Sequence, residues 1–338
     1  MMKRRLALYL ILAAAVVLLL YMWQAPREKT AKQAQIDATI QTAEKHYINP
    51  NNGLIHAYPD QLKSEYLSES IGLYMEYLVN SNRKQAFSSL YEAFQKGLAV
   101  QKEDRIYVKW KADRGTTVNA LIDDTRIIKA LQKASRTFHD PTYNDTAKTL
   151  AASIAKTQMV NGIYADYYDW SAQKAGSRIT LSYITPAFSN SLPNTEKTAE
   201  LLQEAGNQTT ESLFFPEYYD IRKGQYVSQE KVHMVDQLLI AINREAHGYP
   251  SPAFSAWLQK EWKAKQKLFG QYVRASALPA VDYESLSVYD YLALYFKQTG
   301  EEELAAEVQK RARSISSGPL SQETHFFDYI HGRLLQLR

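Results

Sequence analysis

The apolar positions of this chain change character once. From Leu6 to Trp23 they run almost without a break, LALYLILAAAVVLLLYMW, and from about residue 33 they recur every three or four positions between turn signals. The first pattern is that of a membrane segment and the second that of amphipathic helices. Helices are expected near 33–46, 62–80, 84–100, 119–138, 143–158, 179–192, 194–205, 230–244, 252–267, 283–298, 301–313 and 324–337. Asp140-Pro141, Pro193-Asn194 and Ser251-Pro252 mark starts, and Gly300 separates the tenth helix from the eleventh. The even-numbered helices are the more apolar. Leu67, Ile71, Tyr74 and Leu78 form one stripe, and Ile127, Leu131, Ala134 and Phe138 repeat its spacing. In the tenth, LSVYDYLALYF is apolar nearly all round, whereas EEELAAEVQKRAR in the eleventh has one wet face. Six inner helices ringed by six outer ones account for this alternation. The expected fold is therefore an all-α (α/α)6 barrel over 33–338, preferred to an open solenoid because no fixed repeat length appears.

Charge sharpens the reading of the N-terminus. Lys3, Arg4, Arg5, Arg27 and Lys29 against Glu28 account for the whole net charge of +4, so the rest of the 338 residues is neutral. A neutral body lacks the electrostatic footprint of a nucleic-acid binder. Eighteen apolar residues reach ~27 Å, close to the ~30 Å hydrocarbon core. Three basic residues ahead of them favour a cytoplasmic tail (1–5), a transmembrane anchor (6–23), a linker (24–32) and an exported body. A cleaved secretory signal is the competing reading. It would make the protein secreted, but its apolar region is usually shorter and no A-x-A site follows. With no cysteine and no metal-ligand spacing among seven histidines, no metal and no cofactor is expected. The absence of a phosphate loop and of a G-x-S-x-G elbow argues against nucleotide and serine-hydrolase chemistry.

In such a barrel the inner helices run parallel, and their N-terminal ends share one rim with the loops that feed them. These loops are long and aromatic: 51–59, 105–115, 162–170 and 214–227. The links from inner to outer helices are short, so a ligand site belongs on the long-loop rim. Three carboxylates stand there: Glu69 in YLSESIGLYM, Asp124 in NALIDDTRIIKAL and Asp236 in KVHMVDQLLIAIN. Acetal cleavage needs such a set, one carboxyl protonated for the leaving oxygen and another ionised to activate water. Acidic residues in a first helical turn also commonly serve the helix dipole.

Several segments resemble glycoside hydrolase family 8, the (α/α)6 enzymes that include bacterial endoglucanases, chitosanases and xylanases. Ser68-Glu69-Ser70-Ile71-Gly72-Leu73-Tyr74-Met75 is similar to the family's Ser-Glu stretch and puts Glu69 on its general acid. The signature A-[ST]-D-[AG]-D-x-x-I-A-x-A-L-x-x-A is matched at Ala120, Asp124, Ile127, Ala130, Leu131 and Ala134 and lost at Ile122 and Ile128. The resemblance implies that Asp124 holds the sugar at the cleavage point. Ser182-Tyr183-Ile184-Thr185-Pro186-Ala187-Phe188 looks like S-Y-F-x-P-A-Y, which implies a sugar or water contact at Tyr183. In Val235-Asp236-Gln237-Leu238-Leu239 only the Asp of the base-bearing motif survives, and Asp236 is the implied base. An N-terminal anchor with such a domain resembles the membrane-anchored, exopolysaccharide-associated hydrolases of Gram-positive bacteria. The resemblance implies an inverting, endo-acting enzyme on a β-linked polysaccharide, with amino-sugar polymers among the candidates and the synthesis machinery as a partner.

Among the loop aromatics, Trp110, Tyr167 and Trp170 are the candidate sugar platforms, because flat rings stack on pyranose faces. Asp166, Asp169 and Arg178 could bind hydroxyls, and His233 could share the face of Asp236. A non-catalytic polysaccharide-binding or assembly protein on the same barrel is the alternative. A lyase would need a basic, uronate-binding cluster, which the sequence lacks.

Overall fold

The computed structural model describes residues 30–60, 65–207 and 213–338. The expected anchor at 6–23 lies outside them; among the described residues no helix is long and apolar enough to cross a membrane. Twelve α-helices are present among the described residues. The first, α1 (30–46), belongs to a separate unit from the body formed by 47–338.

The body is built on α2 (Ser68–Asn80), α4 (Leu121–Phe138), α6 (Pro186–Ser191), α8 (Met234–Ala246), α10 (Leu286–Gln298) and α12 (Phe326–Leu337). Each packs on the next. α2 meets α4, α4 meets α6, and a 3-10 turn (Leu181–Tyr183) before α6 meets α8; α8 then meets α10, α10 meets α12, and α12 returns to α2. The ring is therefore closed, as the alternation of apolar and amphipathic helices requires. Ten of the thirteen residues of α10 are buried, which explains its all-round apolar sequence. Close approach is made possible at Gly332 of α12, where a β-carbon would stand 2.8 Å from Leu286 of α10.

Outside the ring lie α3 (Lys84–Gly97), α5 (Pro141–Thr157), α7 (Glu196–Asn207), α9 (Pro252–Lys265) and α11 (Glu302–Ser316). Their stripes face inward through Phe87, Leu90, Ala93 and Phe94 on α3 and Leu304, Ala305, Val308 and Ala312 on α11. α9 packs on α10 through Trp262 against Tyr289, ring centroids 5.9 Å apart. The expected starts of α5 and α9 hold. Asp140 accepts from Thr142 N at 3.0 Å ahead of Pro141. Ser251 precedes Pro252 but makes no cap bond with its hydroxyl, which instead accepts from Arg244 Nε at 3.0 Å.

The chain departs from an all-α expectation in the feeding loops. β1 (Ala99–Lys102) and β2 (Arg105–Val108) form a hairpin before α4; β3 (Met159–Val160) with β4 (Ile163–Tyr164), and β5 (Tyr168–Asp169) with β6 (Lys174–Ala175), form two more. The helix expected at 179–192 is mostly something else: β7 (Arg178–Thr180), the 3-10 turn and the six residues of α6. Pro186 sets the start of α6, and Thr185 caps it from Phe188 N at 3.1 Å. β7 pairs with β8 (Tyr218–Asp220), which pairs with β9 (Gln225–Val227); β10 (Lys231–His233) pairs with β11 (Gln271–Val273). These ladders tie the loops feeding α6, α8 and α10 to one another. The links from inner to outer helices remain short, such as 81–83 and 139–140.

Candidate active site

The N-terminal turn of α2 begins beside a neighbouring loop. Ser68 N donates to the carbonyl of Trp110 at 3.0 Å, and Leu67 bridges to Lys111. This fixes Glu69 in the first turn, partly buried at the rim. From the adjacent first turn of α4 comes Asp123, which accepts from Ser68 Oγ at 2.7 Å and pairs with Arg126 Nη1 at 3.2 Å. Burial, then the charge of Asp123, push the Glu69 carboxyl up to about 7, with the Arg126 guanidinium opposing. A carboxyl of that kind is protonated near neutral pH and can give up its proton.

Asp236 stands in the first turn of α8. Ser182 Oγ, from the 3-10 turn, donates to its Oδ1 at 2.7 Å. Burial raises its pKa, while the Ser182 bond and His233 pull it back. Tyr183, the next residue of the same turn, has its phenol pushed well above the ordinary range. Burial is the main cause, followed by the charges of Asp166, Asp123, Asp236 and Glu69. One phenol thus lies in the field of both Glu69 and Asp236, carboxylates 167 positions apart in sequence and on opposite arms of the ring.

Asp124 occupies different surroundings. One residue further along a helix is a turn of about 100°. That rotation takes Asp124 away from the rim and towards Asn119, whose Nδ2 donates to it at 2.6 Å. Asn119 also donates to Gln158 at the end of α5 and accepts from Tyr168 N. Asp124 is 2% exposed, and burial raises its pKa well above the carboxylate range. Its place is the joint between helix and feeding loops, and the rim position expected for it is taken by Asp123. The signal was present in the sequence, since Asp123 and Arg126 stand three apart on one helical face.

The expected platforms divide in the same way. Trp110 and Tyr167 are each 41% exposed. Trp110 sits directly over the start of α2 through its carbonyl, and the Tyr167 ring covers Gly176. Trp170 is 6% exposed and stacks on Tyr107 with centroids 5.3 Å apart; Tyr107 also stacks on Tyr168. Its ring is therefore part of a small core under the loops. Asp166 is likewise structural, accepting from Thr180 N at 2.6 Å, Thr180 Oγ1 at 2.8 Å and Arg178 Nε at 2.9 Å. Asp169 closes a turn onto Ser171 N and Ala172 N. His233 is the exposed residue just before α8. Among the described residues no group of three His, Asp or Glu side chains could hold a metal ion.

No protein-family model matches the chain. The crystal structure of PssZ from Listeria monocytogenes superposes with a TM-score of 0.80 and 31% identity, over 88% of this chain and 94% of that one. The chain belongs with PssZ among the family 8-like (α/α)6 proteins. Endoglucanase Cel10 of Klebsiella pneumoniae, described as a family 8 glycosyl hydrolase, shares the fold. Its TM-score is 0.63 at 15% identity, over 89% of this chain and 98% of that one. YdaJ of Bacillus subtilis (strain 168), whose name carries a provisional lipoprotein designation, is 28% identical over 307 residues, 84% of this chain and 82% of that protein.

Proposed function

We propose that the protein is an exported, membrane-anchored glycoside hydrolase that cleaves a β-linked exopolysaccharide with inversion. Glu69 is the general acid, Asp236 the base that activates water, and Asp123 with Tyr183 positions the sugar at the cleavage point. Trp110 and Tyr167 are exposed rings on which neighbouring sugars stack. The observation that carries this reading is the pairing of a carboxyl held near pH 7 with a second carboxylate in the field of the same tyrosine. Inversion fits the need for a water beside the base, which sets the two carboxyls ~6.5–9.5 Å apart. The sequence pattern of residues 3–23 and the likeness to YdaJ support the anchor. The exopolysaccharide substrate, endo action and a link to the polymer's synthesis machinery rest on the family resemblance.

The test is incubation of the purified protein with secreted β-linked polymers, including amino-sugar polymers, scored by new reducing ends. Proton NMR of the first-formed product reads the anomer. An inverting enzyme releases the α-anomer, and a β-product overturns the mechanism. Binding of polymer with no new reducing ends leaves the non-catalytic alternative in its place.

A further inference from the structure

A cavity of about 370 Å³ lies below the candidate active site, along the same inner helices but towards their C-terminal ends. On α2 it is lined by Leu73 and Glu76, one and two turns beyond Glu69, and on α8 by Leu239, Ile242 and Asn243, all beyond Asp236. Its volume is within the range of small-molecule sites, ~300–1,000 Å³.

The charge on its wall is unbalanced. Arg126, Lys129 and Arg136 of α4 and Arg338 after α12 line it, against Glu76 alone. Arg126 is neutralised by Asp123, and Arg338 bonds Asp290 Oδ1 at 2.7 Å. Of the other two, Lys129 shares Glu76 with Arg338, at 3.9 and 3.8 Å, and Arg136 is unmatched. Lys129 Nζ is 3.9 Å from Glu76, beyond hydrogen-bonding distance, and its side chain is 57% exposed. Arg136 is exposed and has no hydrogen bond or ion pair among the described residues. Asp123, Glu76 and Asp290 answer three of the four cations, which leaves the positive charge of Arg136, beside the loosely held Lys129, facing the cavity without a counter-charge. A second feature points to what an anion there carries. Asn243 is 1% exposed; its Nδ2 donates to Ser182 O at 3.2 Å, while its Oδ1 has no partner. A buried acceptor without a partner is costly and is satisfied by a donor such as a hydroxyl. Leu239, Ile242 and Leu294 supply an apolar wall for the body of the ligand.

We propose that this cavity is a second binding site, for a small hydroxylated oxyanion of the sugar-phosphate or sugar-acid class. The anionic group meets Lys129 and Arg136, and a hydroxyl reaches Asn243. The inference does not depend on the hydrolase reading, because none of these three residues belongs to the candidate active site.

Calorimetric titration of the full-length protein at constant ionic strength tests it, with glucose 6-phosphate, glucuronate and glucose as probes. At least one of the two anions binds, and the stronger of them identifies phosphate or carboxylate as the preferred group. Glucose binds at least tenfold more weakly than that anion. The Lys129→Gln/Arg136→Gln double variant loses at least tenfold in affinity for it, and Lys129→Arg with Arg136 retained restores binding. The proposal is overturned if neither anion binds above a chloride control, if glucose binds equally well, or if the double variant binds the anion as the parent does. Both substituted side chains are exposed, so the variant keeps the fold, and an unchanged melting temperature without ligand verifies this.

Discussion

The two ends of the inner ring are made from the same helices and carry opposite charge. Glu69, Asp123 and Asp236 stand in first turns, whereas Arg136 closes α4 and Arg338 follows α12. Both placements match the helix dipole, which favours anions at N-termini and cations at C-termini. The difference is the covering. Loops bound together by β7–β8–β9 and β10–β11 bury the first-turn carboxylates, and burial shifts their pKa values upward. The short links at the other end leave Lys129 and Arg136 wet. The same electrostatic preference thus yields a carboxyl pushed up to about 7 at one end and solvent-exposed cations at the other.

The largest test of this contrast is Glu69→Gln. A positioned general acid contributes ~10²–10⁴-fold, so turnover of polymer falls by about that factor. The same variant has a signature in stability. Folding raises the Glu69 pKa from 4.5 to about 7, so the parent loses stability as pH climbs through that window. Glu69→Gln therefore melts higher than the parent at pH 8 and together with it at pH 4; an equal melting temperature at both pH values contradicts the burial argument. Next in size is Trp170→Ala. Removing a ring from the Tyr107–Tyr168 stack costs about 3–5 kcal/mol in denaturant unfolding, and a loss of polymer binding with stability intact returns Trp170 to the sugar platforms. Asp123→Asn is smaller. It removes the neighbouring negative charge, lowers the Glu69 pKa and moves the alkaline limb of the pH–rate profile to lower pH. At pH 8 the variant is roughly three- to tenfold slower, and an unmoved limb disconnects Asp123 from the acid. Trp110→Ala is the mildest: KM rises by about two- to tenfold with kcat little changed, the loss of one ring contact of ~0.5–1.5 kcal/mol.

Long periodic segments were readable because burial on one or both faces writes itself into spacing. α4, α10 and α11 lie within a few residues of their expected bounds. The stretch from 179 to 192 was not, since its apolar residues serve a strand, a 3-10 turn and a short helix in succession, and periodicity alone does not separate these. At the candidate site, motif likeness singled out Glu69, Asp236 and Tyr183, and the structure adds the serines beside them, Ser68 on Asp123 and Ser182 on Asp236. Asp123 was missed because the family signature draws attention to its neighbour. Only the rotation of α4 relative to α2 decides which of two consecutive aspartates meets Ser68. Trp170 was read as a platform because exposure in a loop cannot be told from burial under one without tertiary contacts.

The seam between α12 and α2 joins helices about 250 positions apart in the chain, so α12 leaves the ribosome long after α2. Until residues 326–337 emerge, one flank of the helix bearing Glu69 has no neighbour, and the ring stays open. Synthesis therefore proceeds through an unsealed intermediate whose apolar surface needs shielding. Truncation before Phe326 would remove that clasp entirely while leaving every acidic side chain of the rim in the polypeptide.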